Sequence, residues 1–310
     1  MRLNPRSAYF VSIALLAWLL FSTSGQAAIQ IRDGQGDKQF ARVPERVVVL
    51  DWDLLEQVLA LDVLPLAAPN LAGYQQWVAN PPAPDSMQDL GTRAEPNLET
   101  IAALKPDVIL ASTQQRDLLP VLASIAPVVY LPNFAKQDSA AEVVIEQLKT
   151  LGTLFGKSER AQQRLDALDV HFAQLSAQLR NAFAEPPEVV VIRFSNLNTL
   201  LLSSENSINQ YVLQRLGLIN PLALPAQPWG VSQKRINVLQ QLTSAYVLYI
   251  RPFPQEKNLR DAVLWNALPA AQQGRVNGVR SVWSYGGVLS LQSTAEAITE
   301  SLLELAKEPK

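Results

Sequence analysis

The feature that most constrains the fold is one supersecondary unit that occurs twice. The stretches LETIAALKPDVILAS (98–112) and INVLQQLTSAYVLYI (236–250) each combine an apolar helix of two turns, a short polar turn and a buried strand. Around each copy, strands alternate with helices, which indicates right-handed crossovers and mostly parallel sheets. The sequence therefore predicts an α/β protein built from two similar, Rossmann-like lobes.

Short apolar runs rich in β-branched residues predict the individual strands. The runs outside the second copy of the unit lie at 46–51, 64–69, 107–112, 128–132, 188–194 and 199–204. Apolar residues at helical spacing predict helices near 97–104 and 118–125, and a last helix over Val288–Lys307. This alternation extends over both halves of the chain.

The stretch from about Gln137 to Leu179 differs because it is typical of helix throughout, with a break at Gly156–Ser158. A long helix between two α/β blocks is a stiffer connector than a Gly/Ser-rich linker. We expect a ligand cleft between two lobes joined by one long rigid helix. The expected segments are an N-terminal lobe at 28–135, a linking helix at 136–157 and a C-terminal lobe at 158–310.

The N-terminus has the order of a secretory signal peptide. Two arginines, Arg2 and Arg6, precede a thirteen-residue apolar run and the small, polar stretch STSGQAA. The apolar run is shorter than the ~20 residues that span a bilayer, so we expect cleavage after Ala27 or one residue later. An uncleaved membrane anchor is the alternative. The expectation is export to the periplasm as a soluble protein.

Composition excludes several classes of function. The chain of 310 residues has a formal net charge of −2, and the part after residue 27 is more acidic, which argues against a nucleic-acid-binding surface. The absence of cysteine excludes disulfides, thiol nucleophiles, thiolate metal sites and a lipid-modified cysteine. A monomer without cofactor or bound metal is the simplest expectation.

Residues that could support catalysis are few. The stretch GTLFGKS (152–158) lies inside a helical segment and lacks the spacing and the preceding strand of a phosphate-binding loop. His171 is the single histidine, and its position in the middle of a helix favours packing over catalysis. Asp51 and Asp53 follow a strand and are explained by capping of the next helix. The sequence therefore predicts a protein that is not an enzyme.

Large amphipathic side chains instead occur in loops at strand ends. They are Trp52, Tyr74, Trp77, Arg93, Trp229, Trp283 and Tyr285. Ligands of open α/β sheets bind outside the carboxyl ends of the strands, and two lobes can bring these ends together across a cleft. Any one of these aromatic residues could also pack in a local core, since tryptophan is buried on average. As a set, they predict a binding site.

At these residues the chain resembles the periplasmic ferric-hydroxamate-binding proteins, which belong to the helix-linked class of solute-binding proteins. The matching stretches are NPPAPDSMQDLGTRAEPNLETIAALKPD (80–107), PWGVS (228–232) and SVWSYGGVLS (281–290). The order of these blocks is similar over the whole chain after residue 27. The resemblance implies a protein that binds a ferric siderophore and delivers it to an inner-membrane, ATP-driven permease.

The resemblance also implies roles for individual residues. The family's arginine corresponds to Arg93, and its aromatic contacts correspond to Trp77, Trp229 and the pair Trp283 and Tyr285. The family's tyrosine after the KPD strand corresponds to Gln115, which is a departure from the family pattern. An acidic residue on each lobe meets the permease in this class. Asp117 is the candidate in the first lobe, although an acid there could equally complement the following helix dipole.

The chemistry of the implied ligand fits these residues. A siderophore surrounds ferric iron with six oxygens, so the protein needs no metal ligand of its own. A single permanently charged guanidinium can donate hydrogen bonds to the negative oxygens, and indole faces can contact the apolar arms. Alternatives are haem, with Tyr74 as the axial ligand, cobalamin or a catecholate siderophore. A two-lobe nucleotide-sugar-type enzyme is a further alternative.

Overall fold

The computed structural model describes residues 28–135 and 138–307. The expected signal peptide at 1–27 therefore lies outside the described residues. The described chain begins with an antiparallel hairpin that the sequence analysis did not identify, formed by β1 (Ile29–Asp33) and β2 (Gly36–Phe40). A two-residue turn at Gly34 and Gln35 joins the two strands, and a positive φ occurs at the residue that follows this turn. Gly36 has a φ of +122°.

The first half of the chain forms an entirely parallel five-stranded sheet in the order β5-β4-β3-β6-β7. Its strands are β3 (Val47–Val49), β4 (Ala67–Ala68), β5 (Gln88–Asp89), β6 (Val108–Ala111) and β7 (Val128–Tyr130). The helices of this half are α1 (Trp52–Ala60), α2 (Leu71–Trp77), α3 (Leu98–Ala103) and α4 (Leu119–Ala123). The connections from β3 and β6 leave towards opposite edges, which opens a crevice at the carboxyl ends of these neighbouring strands.

The second half forms another five-stranded sheet in the order β10-β9-β8-β11-β12. Its strands are β8 (Val189–Asn196), β9 (Thr199–Ser203), β10 (Val231–Arg235), β11 (Tyr246–Ile250) and β12 (Val276–Val279). The strands β8, β11 and β12 are parallel, whereas β9 is antiparallel to both of its neighbours. This sheet is mixed because β8 and β9 are joined by a two-residue turn, which can connect only antiparallel strands.

Helices of the second half cover this sheet and include the predicted last helix at its predicted bounds. They are α7 (Ile208–Leu216), α8 (Val263–Asn266), α9 (Pro269–Gln272) and α10 (Val288–Lys307). The repeated unit is present in both halves, as α3 with β6 and as a helical segment with β11. In the second copy the helical segment is a 3-10 helix, Ile236–Gln241. The predicted α/β fold with two sheet-containing halves is confirmed.

Two helices lie between the two sheets in the sequence, and the predicted break separates them. They are α5 (Ala140–Leu154) and α6 (Ser158–Ala182), and they are separated at Gly156, which has a φ of +63°. The helix α5 contacts β1 and α1 of the first half and also α10 of the second, while α6 contacts α7 and α10. His171 on α6 lies 2.9 Å from a carboxylate oxygen of Glu296 on α10. The expected segment boundaries stay a prediction.

One apolar core is shared by both halves. Its largest cluster contains Val47 and Leu55 from the first half and Val191 and Ile298 from the second. A shared core restricts the movement of the halves relative to each other because its close-packed side chains interdigitate.

In residues 28–135 and 138–307, no helix has the length and apolar character that crossing a membrane requires.

Candidate functional site

A pocket with a volume of about 290 Å³ lies where the carboxyl ends of the first sheet meet the second half of the chain. Its lining residues are Asp51, Arg93, Ser112, Gln114, Phe134, Trp229, Trp283 and Tyr285. Asp51 follows β3 and Ser112 follows β6, so the pocket lies at the crevice between these two strands. Four of the eight lining residues are aromatic, which gives the pocket a wall suited to apolar groups.

Arg93 is held in a tight loop that presents its guanidinium to the pocket. The loop closes through an antiparallel bridge between Gly91 and Pro96, and Gly91 has a φ of +85°. The guanidinium carbon lies 4.1 Å from the ring centroid of Trp52 and 5.3 Å from that of Trp283. Contact with two indole faces favours a cation in this position.

The guanidinium also faces a carboxylate, which the sequence analysis did not expect. Nη1 of Arg93 lies 3.3 Å from Oδ1 of Asp51, and the Asp51 side chain is only 9% exposed. Asp51 also caps α1 as predicted, since its Oδ1 accepts a hydrogen bond from the backbone N–H of Trp52. Burial raises the pKa of Asp51, while the charge of Arg93 and the hydrogen bond from Trp52 oppose this increase.

Gln115 does not line the pocket, in contrast to the expectation that it contacts ligand. Its side chain is fully buried and accepts a hydrogen bond from the backbone N–H of Ser112 at 2.9 Å. Its amide nitrogen donates to the backbone oxygen of Arg93 at 2.8 Å. Gln115 therefore supports the arginine loop from behind, and the neighbouring Gln114 is the amide that lines the pocket.

The Gln115→Ala variant is expected to be less stable than the parent by about 1–3 kcal/mol. The substitution leaves the N–H of Ser112 and the carbonyl of Arg93 without their buried partner, and such groups lose their full solvation energy. Urea denaturation followed by circular dichroism measures this difference. Gln114→Ala is the matched control, since Gln114 lines the pocket, and we expect it to change stability by less than about 0.5 kcal/mol. Equal stability of both variants would contradict the assigned role of Gln115.

Two other predicted site residues are buried beside the pocket. Trp52 is 3% exposed, and its indole N–H donates to the backbone oxygen of Pro69. Tyr74 is fully buried, and its hydroxyl donates to the backbone oxygen of Pro81 at 2.8 Å. Burial, with a smaller effect from the charge of Glu56, raises the pKa of Tyr74. Neither side chain lines the pocket, and the local-core interpretation fits both.

The aromatic wall comes mainly from the second half of the chain. Trp229 is 39% exposed and stacks on Phe134, with ring centroids 5.3 Å apart. Both residues have φ values above +60°, which is strained backbone for bulky side chains and is concentrated at functional sites. Tyr285 packs edge-to-face against Phe134, Trp229 and Trp283. Burial raises the pKa of Tyr285, and the charge of Arg193 opposes this.

Sequence reasoning missed Phe134 and Arg193. Phe134 satisfies the criterion that found the other aromatics, because it is a large side chain in the loop after β7. Arg193 lies on β8, and the sequence pattern of this strand gave no sign of a site. Its guanidinium carbon is 4.2 Å from the Trp77 ring centroid and 6.0 Å from that of Trp283. The expectation of a single guanidinium at the site is therefore incomplete.

Arg193 and Trp77 form a contact between the two halves at the side of the pocket. Trp77 lies at the end of α2 in the first half, and its ring is 6.1 Å from that of Trp283. Burial lowers the pKa of Arg193, and Tyr285 opposes this effect. An indole face attracts a cation that lies over it even where the cation has lost part of its hydration.

Asp117, the expected docking residue, is exposed in the helical turn before α4.

The described residues include no group of three or more His, Cys, Asp or Glu side chains that could hold a metal ion. The buried acids Asp53 and Glu56 lie behind the pocket on α1. Burial, followed by the charge of Asp51, raises the pKa of Asp53 well above its usual value. The arrangement can bind a group that presents anionic oxygen to Arg93 and apolar surface to the aromatic wall.

Comparisons with known proteins agree with this geometry. A family described as periplasmic binding protein matches residues 47–281. The chain is 28% identical to the iron(3+)-hydroxamate-binding protein FhuD of Escherichia coli, over 80% of this chain and 83% of that protein. It is 30% identical to the Fe(3+) dicitrate-binding periplasmic protein FecB of Escherichia coli, over 86% of this chain and 87% of that protein.

A solved structure extends the comparison to three dimensions. The Fe³⁺–Desferal-bound siderophore-binding protein FhuD from Vibrio cholerae is 57% identical to this chain. The two structures superimpose with a TM-score of 0.83, and the match covers 84% of this chain and 98% of the other. The likeness therefore covers both sequence and fold over most of this chain.

Proposed function

The chain belongs to the periplasmic binding protein family, and we propose that it binds ferric hydroxamate siderophores in the pocket between its halves and delivers them to the permease of an ATP-driven importer. The observation that carries this proposal is the pocket itself, where one arginine and four aromatic side chains converge without a cluster of metal ligands among the described residues. Such a site suits iron that another molecule already surrounds with oxygens.

The proposed ligand contacts divide into a charged group and an aromatic wall. Arg93 donates hydrogen bonds to the hydroxamate oxygens, and each such charged bond contributes about 1.5–3 kcal/mol. Trp229, Trp283 and Tyr285 contact the apolar parts of the chelate, with Phe134 behind Trp229. Half-buried Trp77 lies outside the lining, next to Trp283, and contacts the part of the ligand that extends beyond the pocket. The buried Trp52, Tyr74 and Gln115 act through these neighbours, since their side chains do not line the pocket.

The pocket volume of about 290 Å³ has a consequence for delivery. It lies at the low end of the ~300–1,000 Å³ of ligand sites. A bound siderophore would therefore remain partly exposed, and a permease docked across the mouth of the pocket could contact it directly. Asp117 is the proposed docking residue of the first half. Export to the periplasm by a cleavable segment at 1–27, and action as a monomer, are parts of the same proposal.

The family relationship gives ferric dicitrate as a second candidate ligand, because a dicitrate-binding relative is 30% identical over most of its length. Haem, catecholate chelates and cobalamin have less support. A haem ligand at Tyr74 is disfavoured, because its hydroxyl is buried and donates to Pro81. A tricatecholate chelate carries a high negative charge that suits several cations, and Asp51 lies at this site. Cobalamin and a nucleotide-sugar-type reaction have no feature of the pocket in their favour.

Intrinsic tryptophan fluorescence tests the proposal. Four tryptophans surround the site, namely Trp52, Trp77, Trp229 and Trp283, and a bound ferric chelate should quench them. We expect quenching by ferric ferrioxamine or ferrichrome that saturates at micromolar ligand, which corresponds to about −8 kcal/mol of binding energy. The iron-free chelators should quench much less, because they lack the compact oxygen shell that Arg93 recognises.

Controls separate binding from optical effects and from competing ligand assignments. N-acetyltryptophanamide, titrated with the same chelates, gives the correction for light absorbed by iron. Parallel titrations with ferric dicitrate, haemin, cobalamin, a ferric tricatecholate and a nucleotide sugar test the competing assignments. Saturable quenching by one of these ligands, together with none by either ferric hydroxamate, would reject the proposed function.

A further inference from the structure

The pocket carries two opposite charges. Of the residues that line it in the described part of the chain, Arg93 and Asp51 are charged, and their side chains lie 3.3 Å apart. The positive charge of Arg93 is therefore balanced by the negative charge of Asp51. Any ligand atom that approaches Arg93 also approaches a carboxylate.

The carboxylate of Asp51 cannot readily turn away from the ligand. Its Oδ1 accepts the backbone N–H of Trp52 at 2.7 Å and lies within reach of Arg93, and the residue is 6% exposed. Burial raises the pKa of Asp51, while the nearby cation and the backbone donor both stabilise the ionised form. Asp51 also caps the N-terminus of α1, so its position is fixed by the fold. A fixed negative charge in a partly desolvated pocket acts strongly on charged ligands.

We propose that Asp51 is a specificity-determining residue, which makes the pocket select ferric chelates of zero or positive total charge over anionic ones. This inference rests on the proposed function and defines its ligand class more narrowly. Three hydroxamates neutralise Fe³⁺, so a trihydroxamate chelate takes the charge of its arms. Tricatecholate and citrate chelates are anionic, so they would bring negative charge next to Asp51.

Arg193 does not remove this selectivity. Its guanidinium lies over Trp77 at the side of the pocket and is not among the lining residues. It attracts anions equally in the parent protein and in a variant at position 51. A comparison of ligand ratios between parent and variant therefore isolates the contribution of Asp51, because the effect of Arg193 cancels.

The test uses three chelates that share one iron centre and differ in the charge of one arm. They are ferric ferrioxamine B, which has a terminal ammonium, its neutral N-acetyl derivative and its anionic N-succinyl derivative. Dissociation constants are measured by tryptophan fluorescence for the parent and for Asp51→Asn. Asparagine keeps an oxygen that can cap α1, and Asp51→Ser is a second neutral variant with a capping oxygen. Glu99→Gln, at an exposed position on α3, is the control with the same change in net charge.

We expect the parent and the Glu99→Gln control to bind the succinyl derivative about tenfold more weakly than the ammonium form. In Asp51→Asn and Asp51→Ser this ratio should fall to less than about threefold, with the neutral derivative changed least. An unchanged ratio in folded neutral variants, or equal binding of all three chelates by the parent, would overturn the inference and leave the proposed function standing. No binding of any ferrioxamine by the parent would overturn the inference, and no binding of ferrichrome in addition would overturn the proposed function as well.

Discussion

Between pH 5 and pH 8, the free energy of unfolding of this chain is expected to fall by about 2.5 kcal/mol because of one buried carboxyl group, that of Glu56. Burial raises the pKa of Glu56 from 4.5 to about 7, and hydrogen bonds from Ser290 and Gly287 limit this increase. A carboxyl group with a raised pKa in the folded state stabilises the fold fully below its unfolded pKa. That contribution is lost as the pH rises through the folded pKa.

The position of Glu56 explains why its protonation matters to the whole molecule. It lies on α1 in the first half of the chain and accepts hydrogen bonds from Ser290 and Gly287 at the start of α10 in the second half. The consecutive glycines of the sequence SYGG permit this contact. A Cβ atom on Gly286 would lie 2.7 Å from Oε2 of Glu56, and one on Gly287 would lie 2.4 Å from a side-chain carbon of Gln57.

Two substitutions distinguish ionisation from lost contacts, with urea denaturation between pH 5 and pH 8 as the measurement. Glu56→Gln resembles the protonated side chain, so its stability should vary much less with pH than that of the parent. Burial also raises the pKa of Asp53, so the stability of Glu56→Gln should keep some dependence on pH in the same direction. Glu56→Ala should lower the free energy of unfolding by about 3–5 kcal/mol at pH 5, because it leaves Ser290 and Gly287 without their acceptor. An equal pH dependence in Glu56→Gln and the parent would refute the assignment.

The sequence predicted the strands whose own residues form an apolar run, because such a run indicates burial by itself. The runs of β3, β6, β8 and β11 are continuous and β-branched because each strand has a neighbour on both sides and helices on its faces. The three missed strands of the two sheets, β5, β10 and β12, all lie at sheet edges. Edge strands such as VSQKR are polar, and their pairing partner, rather than their own pattern, sets their position.

The site shows a similar division between what the sequence reveals and what only packing decides. Arg93, Trp229 and Trp283 were found because loops at the carboxyl ends of strands are where α/β sheets bind ligands. Loop position does not say which aromatic turns inward, so buried Tyr74 and exposed Trp229 looked alike. The carboxylate of Asp51 was assigned to helix capping alone. Only the fold brings it within 3.3 Å of Arg93, which is 42 residues away in the chain.

Replacing Arg93 with alanine is expected to weaken the binding of ferric hydroxamates by about 10- to 100-fold, which is the largest effect of any single substitution at the pocket. The lost hydrogen bonds between guanidinium and hydroxamate oxygens account for about 1.5–3 kcal/mol. The substitution also leaves Asp51 without its ion pair, so the carboxylate then repels the oxygen shell directly. Fluorescence titration with ferric ferrioxamine B measures the combined effect.

Further variants separate the loss of the guanidinium hydrogen bonds from the repulsion by an unpaired Asp51. The double variant Arg93→Ala, Asp51→Asn removes the donors without leaving an unpaired carboxylate, so it should recover part of the affinity lost in Arg93→Ala. Arg93→Lys keeps the charge but not the planar fork, so we expect an intermediate affinity. Arg116→Ala, at an exposed arginine in the same half, is the control and should bind like the parent. Parent-like binding by Arg93→Ala would show that the oxygen shell of the iron does not face this guanidinium.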